Sequence, residues 1–327
     1  MNVVVTGGAG FIGSALVWKL NQEGVDDILV VDALGTGEKW KNLVGLRFQD
    51  AIHKSAFIQS VKDDSLTFHP DAIVHLGACS ATTERDADYL LENNYRYTRQ
   101  LADWCLQHGA RFVYASSAAT YGDGSDGFSD DQLVTPNLTP LNMYGYSKHM
   151  FDLHALKSGY FDRIAGVKFF NVFGPNEYHK DGMVSMVLRS FRQIQESGTV
   201  QLFKSDKPEY TDGGQKRDFV YVKDCVDVLW WLMNTPSASG LFNLGTGQAR
   251  TWVDLVNAVY SALGRSPSIE FIDMPDILKD KYQYFTQADM GKLRNAGNAT
   301  VFHTLEHAVH DYVSNYLVKD SAHLGAR

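Results

Sequence analysis

Residues 2–32 hold the feature that most limits what this chain can fold into. A short apolar run, "NVVV", leads into "TGGAGFIG", then the helical pattern "SALVWKLNQEG", then a second apolar run, "DDILVVD", ending on Asp32. Short apolar runs bounded by glycine suit buried strands, and the stretch between them suits a helix that stops at Gly24. Strand, tight turn, helix and strand, closed by an acid, predict one unit of a parallel sheet. The three glycines of the turn divide the work. Gly7 allows the tight turn, Gly10 lets the backbone approach a pyrophosphate, and Gly13 lets helix pack closely on sheet. Phosphate then meets free amides at the helix start. In this setting the glycine pattern points to a dinucleotide site. Asp32 can accept hydrogen bonds from adenosine ribose hydroxyls, which favours NAD. Lys39, in "GTGEKW", can reach a 2′-phosphate, or can be a solvated loop lysine. These residues alone leave NAD and NADP both open.

The alternation continues. "GLRFQD" reads as a strand ending at Asp50, near the adenine. "DAIVHLGA" and "ARFVYASS" read as further strands, with "DADYLLENNYRYTRQLADWCLQHG" as a long helix between them, capped by Gly109. The expected class is α/β: a Rossmann-type parallel sheet flanked by helices, with a smaller α/β substrate-binding lobe. In the second half, "RIAGVKFFNVFGP" predicts a strand running into a turn at Gly174 and Pro175. "GMVSMVLRSFRQIQESG" predicts an amphipathic helix, "VQLF" a strand, "QKRDFVYVKDCVDVLWWLMN" a strand and helix, "GLFNLGTG" a strand and turn, and "TWVDLVNAVYSALG" a helix. Residues 1–174 are read as mainly the dinucleotide domain and 175–327 as mainly substrate-binding. The chain is expected to return to the first domain around 215–245. The polar end "KDSAHLGAR" reads as frayed.

Charge and cysteine usage narrow the functional class. The formal net charge is −8, from 30 basic and 38 acidic residues, which argues against nucleic acid but allows a local positive pocket for an anionic small molecule. Cys79, Cys105 and Cys225 form no metal-spacing pair, and an odd count argues against a disulfide framework. A reducing cytoplasmic setting fits, with the cysteines as packing residues. No apolar run is long enough to span a membrane. "MNVVVTGG" reads as a first strand, not a signal peptide.

A redox set follows the sheet. Ser116 and Ser117 end one strand, and "YGYSK", Tyr144 to Lys148, begins a helix. Tyr144 and Lys148 are four apart and share a helical face. An ammonium near the phenol would stabilise its ionised form, so that Tyr144 can exchange a proton near neutrality. A serine would hold the substrate oxygen. Ser117 is nearer the strand exit, and Ser116 is the alternative. Tyr146, close by, is packed or exposed instead. For an anionic ligand the candidates are Arg189, Lys204, Lys207, Lys216 and Arg217. Arg217 is preferred for a diphosphate, against a plain salt bridge to Asp218 or Asp224. Trp230 and Trp231 read as helix packing. Tyr282 shapes a substrate pocket or seals the lobe. Lys180, in "NEYHK", is a second lysine after the redox set, and by itself it reads as a phosphate contact or an exposed loop residue.

"TGGAGFIG", "YASSAATYG", "YGYSK" and "FFNVFGP", in this order over nearly the full chain, resemble the extended short-chain dehydrogenase/reductase family, which acts mostly on nucleotide-activated sugars. "GACSATTE", "NEYHK", "KRDFVYV", "FNLGTG" and "YQYFTQAD" carry a finer resemblance to the ADP-glycero-manno-heptose 6-epimerases. That resemblance implies conversion of ADP-D-glycero-D-manno-heptose to its L-glycero epimer at C6″ for the lipopolysaccharide core. It also implies bound NADP, with NAD as the alternative, and a homo-oligomer, often a pentamer, with no metal, nucleic acid or membrane partner.

The same resemblance maps the catalytic pair onto Tyr144 and Lys180, with Lys148 in support. Cofactor contacts map onto Phe11, Ile12, Asp32, Ala33, Lys39, Lys54, Leu76, Gly77, Ala78, Cys79, Ser80, Asn93 and Val172. Substrate contacts map onto Asn171, Gly182, Arg189, Phe203, Lys204, Ser205, Asp206, Arg217 and Tyr282. The family often has "GHK" where this chain has "YHK", and an acid where it has Leu76. Its chemistry is an internal redox cycle in which Tyr144 would serve one configuration of the oxygen and Lys180 the other. His179 is left without a role. Another NDP-sugar epimerase, such as a 4-epimerase, would not need Lys180. A non-catalytic NAD(P)-binding regulatory protein would need neither Tyr144 nor Lys148. No acidic pair follows Ser117 to drive a 4,6-dehydratase elimination.

Overall fold

The structure, a computed structural model, describes residues 1–276 and 282–325. Seven parallel strands form the main sheet in the order β10-β6-β5-β4-β1-β2-β3. They are β1 (Val3–Thr6), β2 (Ile28–Asp32), β3 (Asp50–His53), β4 (Ala72–His75), β5 (Arg111–Ser117), β6 (Ala165–Phe169) and β10 (Gly240–Leu244). The order reverses at β1, which pairs with β2 on one side and β4 on the other. That reversal opens a crevice at the carboxyl ends of the two strands, where open α/β sheets hold ligands.

The strands are buried on both faces. Val3, Val5, Val30, Val74 and Val113 belong to one apolar core, and Val4, Leu29, Val31, Ile73 and Phe112 to a second. Alternate residues of each strand therefore enter different cores, as a pleated sheet covered on both sides requires. Helix α1 (Phe11–Gln22) packs on one face beside α7 (Val222–Asn234). Helices α2 (Lys54–Lys62), α4 (Tyr97–His108) and α5 (Met143–Lys157) contribute Phe57, Leu101, Cys105 and Phe151 to the other core.

Three departures from the sequence reading involve strand and helix bounds. "GLRFQD" is not a strand: β3 starts at Asp50, where it was expected to end. The preceding residues are spent on a short helical turn, Lys39–Leu43, and a bend at Gly45 (φ 80°), which fold this segment back beside the glycine turn. The helix expected from Gly182 is α6 (Met186–Glu196), because the Ser185 hydroxyl caps the Leu188 amide at 3.3 Å. The long helix ending at Gly109 is present, but α3 (Ala87–Leu90) passes into α4 through a π-helical turn over Leu91–Arg96.

The remaining strands form small sheets. β7 (Asn171–Phe173) pairs with β9 (Lys216–Tyr221), which pairs with β11 (Ala249–Thr251). β8 (Val200–Phe203) pairs with β12 (Ile269–Ile272). Helix α8 (Trp252–Ala262) is set by a capping box between Thr251 and Asp254. Two further helices, α9 (Gly291–Asn295) and α10 (Leu305–Tyr312), follow.

The tail is not frayed through residue 324. Buried Asn176 and the Tyr178 ring need partners, and the chain end supplies them: Leu324 N donates to Asn176 Oδ1 at 2.9 Å, and Tyr178 Oη donates to the Ala322 carbonyl at 2.9 Å. Residues 326 and 327 of that tail lie outside the described residues, as do 277–281 just before Tyr282.

Candidate active site

The ends of β1, β2, β4 and β5 open onto a cavity of about 570 Å³. Its floor is the glycine turn. Gly7 has φ 67°, and a Cβ there would lie 2.7 Å from the Gly77 nitrogen; at Gly13 it would lie 2.0 Å from the Gly7 carbonyl oxygen. Neither position tolerates a side chain. The α1 helix starts at Gly10 with no side-chain cap, and Gly10, Phe11, Ile12 and Gly13 all line the cavity. Uncapped amides at a helix start, with no Cβ on Gly10 or Gly13, form a cradle for phosphate. The residues present therefore fit a dinucleotide.

Asp32 stands at the tip of β2. Its Oδ2 accepts from the Ala9 amide at 2.9 Å, and its Oδ1 accepts from the Ala33 amide and the Lys39 ammonium, both at 2.7 Å. Lys39 is thus not a solvated loop lysine. It lies in the cavity wall, paired to Asp32. Across the cavity, Lys54 Nζ donates to Asn93 Oδ1 at 2.6 Å. Leu76, Gly77, Ala78, Cys79 and Ser80 complete this side.

Buried Asn94 pins that loop. Its Oδ1 accepts from the Cys79 amide at 2.9 Å, and its Nδ2 donates to the Cys79 carbonyl at 2.9 Å and to Ser147 Oγ at 3.0 Å. Asn94 was not singled out in the sequence. The available signal is two asparagines in a helical pattern, "LENNYR", where asparagine is a poor helix former. They fall in the π-helical turn, which re-aims both side chains.

The redox set sits where β5 meets α5. Asn142 caps α5 through the Gly145 amide at 2.8 Å, which fixes the first turn carrying Tyr144. Lys148 is buried, and its ammonium donates to the Ala115 carbonyl at 2.8 Å. Burial lowers its pKa to about 8, against the opposing pull of Asp152 and Cys79. Burial also pushes the Tyr144 phenol up, only partly offset by a hydrogen bond with Ser117. The lowering expected from a neighbouring ammonium is not seen: the Lys148 ammonium is bonded to the Ala115 carbonyl, and desolvation of the phenol dominates.

The two serines separate in role. Ser116 lines the cavity and Ser117 does not; Ser116 Oγ donates to Asp152 Oδ2 at 2.7 Å, while Tyr114 occupies Asp152 Oδ1. Ser117 opposes the rise that burial gives the Tyr144 phenol, and its Oγ accepts from the Ala119 amide at 3.1 Å.

Lys180 reaches the same cavity from a different element, the helical turn Tyr178–Met183. Its ammonium lies 5.1 Å from the centre of the Phe11 ring. Burial lowers its pKa, with Glu177 opposing. His179, Met183, Tyr89 and Tyr97 also line the wall and were not predicted to do so.

The predicted substrate residues lie outside that wall. Arg217 is buried, with its guanidinium carbon 5.2 Å from the Tyr282 ring centre and 5.6 Å from Trp252. It donates to the Lys216 carbonyl at 2.9 Å and to the Gln283 carbonyl. Among the described residues no carboxylate pairs with it, so the salt-bridge alternative is not seen. Asp218 is occupied by the Thr246, Gly247 and Ala288 amides, and Asp224 by His303. Phe203 packs edge-on to Tyr282, Lys204 pairs with Asp273 at 2.9 Å, the Ser205 amide donates to Asp212, and the Asp206 amide donates to Tyr284 Oη. Arg189 donates to the Gly182 carbonyl at 2.9 Å. Asn171 is exposed on β7, with Val172 half-buried beside it. Tyr146 is exposed, and Trp230 and Trp231 pack against the core as expected.

Residues 3–245 match the family described as NAD dependent epimerase/dehydratase. Over 321 residues the chain is 59% identical to the ADP-L-glycero-D-manno-heptose-6-epimerase of Nitratidesulfovibrio vulgaris strain Hildenborough, covering 98% of this chain and 99% of that one. The crystal structure of the Helicobacter pylori ADP-L-glycero-D-manno-heptose-6-epimerase superposes with a TM-score of 0.80 at 28% identity, covering 96% and 95% of the two chains. The Thermus thermophilus UDP-glucose 4-epimerase, solved in complex with NAD, superposes with a TM-score of 0.75 at 25% identity, covering 96% and 98%.

Proposed function

The chain belongs to the NAD dependent epimerase/dehydratase family, and from that premise we propose how its residues divide the work of an ADP-heptose epimerase. The reaction is epimerisation at C6″ of ADP-D-glycero-D-manno-heptose to the L-glycero epimer. An NAD(P)-type dinucleotide serves it and, when bound, supplies a hydride acceptor and donor. We take NADP as the form used, because Lys39 puts a cation beside Asp32 where a 2′-phosphate would sit.

The observation that carries the residue assignment is that Tyr144 and Lys180 line one cavity from different elements, α5 and the turn after β7. Tyr144 exchanges the proton of the substrate oxygen in one configuration and Lys180 in the other. Each group can then stay fixed while the ketone intermediate turns over between them. Ser117, which opposes the rise in the Tyr144 pKa, steadies the substrate oxygen. Lys148 holds the nicotinamide ribose side. Burial favours neutral Lys180, the form able to take a proton. Arg217, stacked between Tyr282 and Trp252 with no carboxylate partner among the described residues, is a ready partner for the substrate diphosphate.

The test is incubation of purified protein with each ADP-heptose epimer, followed by NMR. Interconversion from both sides is expected. If neither epimer converts while another sugar nucleotide does, the substrate assignment fails.

A further inference from the structure

Beside Lys180 sits a histidine that the redox cycle does not use. His179 lines the cavity, and its surroundings fix which of its nitrogens holds the proton. The key neighbour is Asn42, which is 1% exposed. Asn42 Nδ2 is 3.0 Å from the Ala9 carbonyl oxygen, 3.0 Å from the Asn176 carbonyl oxygen and 3.1 Å from His179 Nδ1. Two carbonyl acceptors require the amide nitrogen on that side, since the reverse orientation would set three oxygens against one another. Asn42 Oδ1 then faces His323 Nδ1 at 2.8 Å and accepts from it.

An Nδ1–H on His179 would point at the hydrogens of that amide. We take His179 Nδ1 as the bare acceptor of that amide, since the Asn176 carbonyl, the other acceptor within reach of the ring, is already bonded to Asn42 Nδ2. A neutral ring without a proton on Nδ1 holds it on Nε2. Burial, with Lys39 and Lys180 adding to it, disfavours the imidazolium against the opposing pull of Asp32 and the Asn176 carbonyl, lowering its pKa to about 4. Nε2 has no protein partner among the described residues and is not among the enclosed polar atoms that lack one. The ring thus presents a fixed N–H to the cavity, between the uncapped start of α1 and the Asp32–Lys39 corner.

We propose that His179 is a ligand of the bound dinucleotide, its neutral Nε2–H donating to a phosphate oxygen and its tautomer held by Asn42. The inference rests on the dinucleotide reading of the cavity. It ties the turn carrying Lys180 to the cofactor that Lys180 must face. Asn42 is the positioning residue, spanning the glycine turn at Ala9, the lysine turn at Asn176 and the chain end at His323.

The experiment compares the full-length wild type with His179→Phe and His179→Gln. Phenylalanine keeps the ring and loses the donor, while glutamine restores an N–H near the place of Nε2. NADP and NAD are each titrated by calorimetry, and the histidine tautomer is read by ¹⁵N NMR. A hydrogen bond to a charged group is worth about 1.5–3 kcal/mol, so His179→Phe should weaken binding about 10- to 100-fold, and His179→Gln should recover part of the loss. A loss confined to NADP identifies the 2′-phosphate, and an equal loss for both identifies the pyrophosphate. Unchanged affinity in His179→Phe, or a proton found on Nδ1 of the wild type, overturns the proposal. Wild-type protein that binds neither dinucleotide overturns the cofactor reading itself, and this ligand with it. Thermal unfolding of each variant separates lost binding from lost folding.

Discussion

The Lys180 amide donates to the Glu177 carbonyl at 3.1 Å, which places a carboxylate with no exposed surface at the root of the turn that carries the lysine. That carboxylate takes the Ser185 hydroxyl at 2.6 Å and the Ser185 amide, and lies 3.4 Å from the Gly174 amide. It ties the two ends of the turn together. It also opposes the lowering of the Lys180 pKa that burial causes.

Glu177→Gln keeps the shape and removes the charge. Lys180 then loses the group that favours its ammonium, so its pKa should fall further. The limb of the kcat profile set by deprotonation of Lys180 should move to lower pH. A limb that stays in place, or moves up, would show that Glu177 acts on shape alone.

Tyr144→Phe removes the exchangeable proton without emptying the site. Loss of one positioned acid–base group typically costs about 10²–10⁴ in rate. A fall in epimerisation of that size is expected, with NADP affinity and the melting temperature retained. Lys180→Met should fall comparably. Normal turnover in either variant would remove that residue from proton transfer. Ser117→Ala should lower kcat more than Ser116→Ala, because Ser117 opposes the burial that raises the Tyr144 pKa while Ser116 is held by Asp152.

The legible parts of this molecule were those with local causes. The glycine turn, the acid at Asp32 and the Tyr144–Lys148 spacing are each set within a few residues, and the structure brings all of them to one cavity. The place of β3 was misread because Gly45 and the Lys39–Leu43 turn spend residues that look strand-like. Asn42 gave no local signal at all. Its partners are Ala9, Asn176 and His323, up to 281 positions away, and only the closed fold brings them together. The packed chain end was missed for the same reason: "SAHLGAR" is polar by composition, yet the backbone of Ala322 and Leu324 satisfies half-buried Tyr178 and buried Asn176.

His75 should make the fold acid-sensitive. It is 1% exposed, bonded to Thr6 Oγ1 at 2.6 Å and to Thr98 Oγ1 at 2.8 Å, and stacked between Tyr97 and Phe112. Burial, with Lys148 adding to it, holds its pKa well below the ordinary value of 6.5. The unfolded chain takes up this proton first. The stability that His75 contributes is therefore complete above about pH 6.5 and lost as pH falls below it. Chemical denaturation between pH 6.5 and 5 should give a slope steeper in wild type than in His75→Gln by up to about 1.4 kcal/mol per pH unit. Equal slopes would mean that other buried histidines carry the effect.

Arg217 offers the sharpest separation of substrate from cofactor. Its guanidinium is stacked on Tyr282 and Trp252, outside the cavity wall, and it bonds two backbone carbonyls with no countercharge among the described residues. Lysine keeps the charge but loses the planar fork and the stacking. Arg217→Lys should raise KM for the ADP-sugar about tenfold or more, the loss of a charge-assisted contact worth about 1.5–3 kcal/mol. NADP affinity should not change, because no Arg217 atom lines the cofactor cavity. The two numbers must move apart. If KM holds and NADP affinity falls, Arg217 serves the cofactor side, and the diphosphate contact must be sought elsewhere in the smaller lobe.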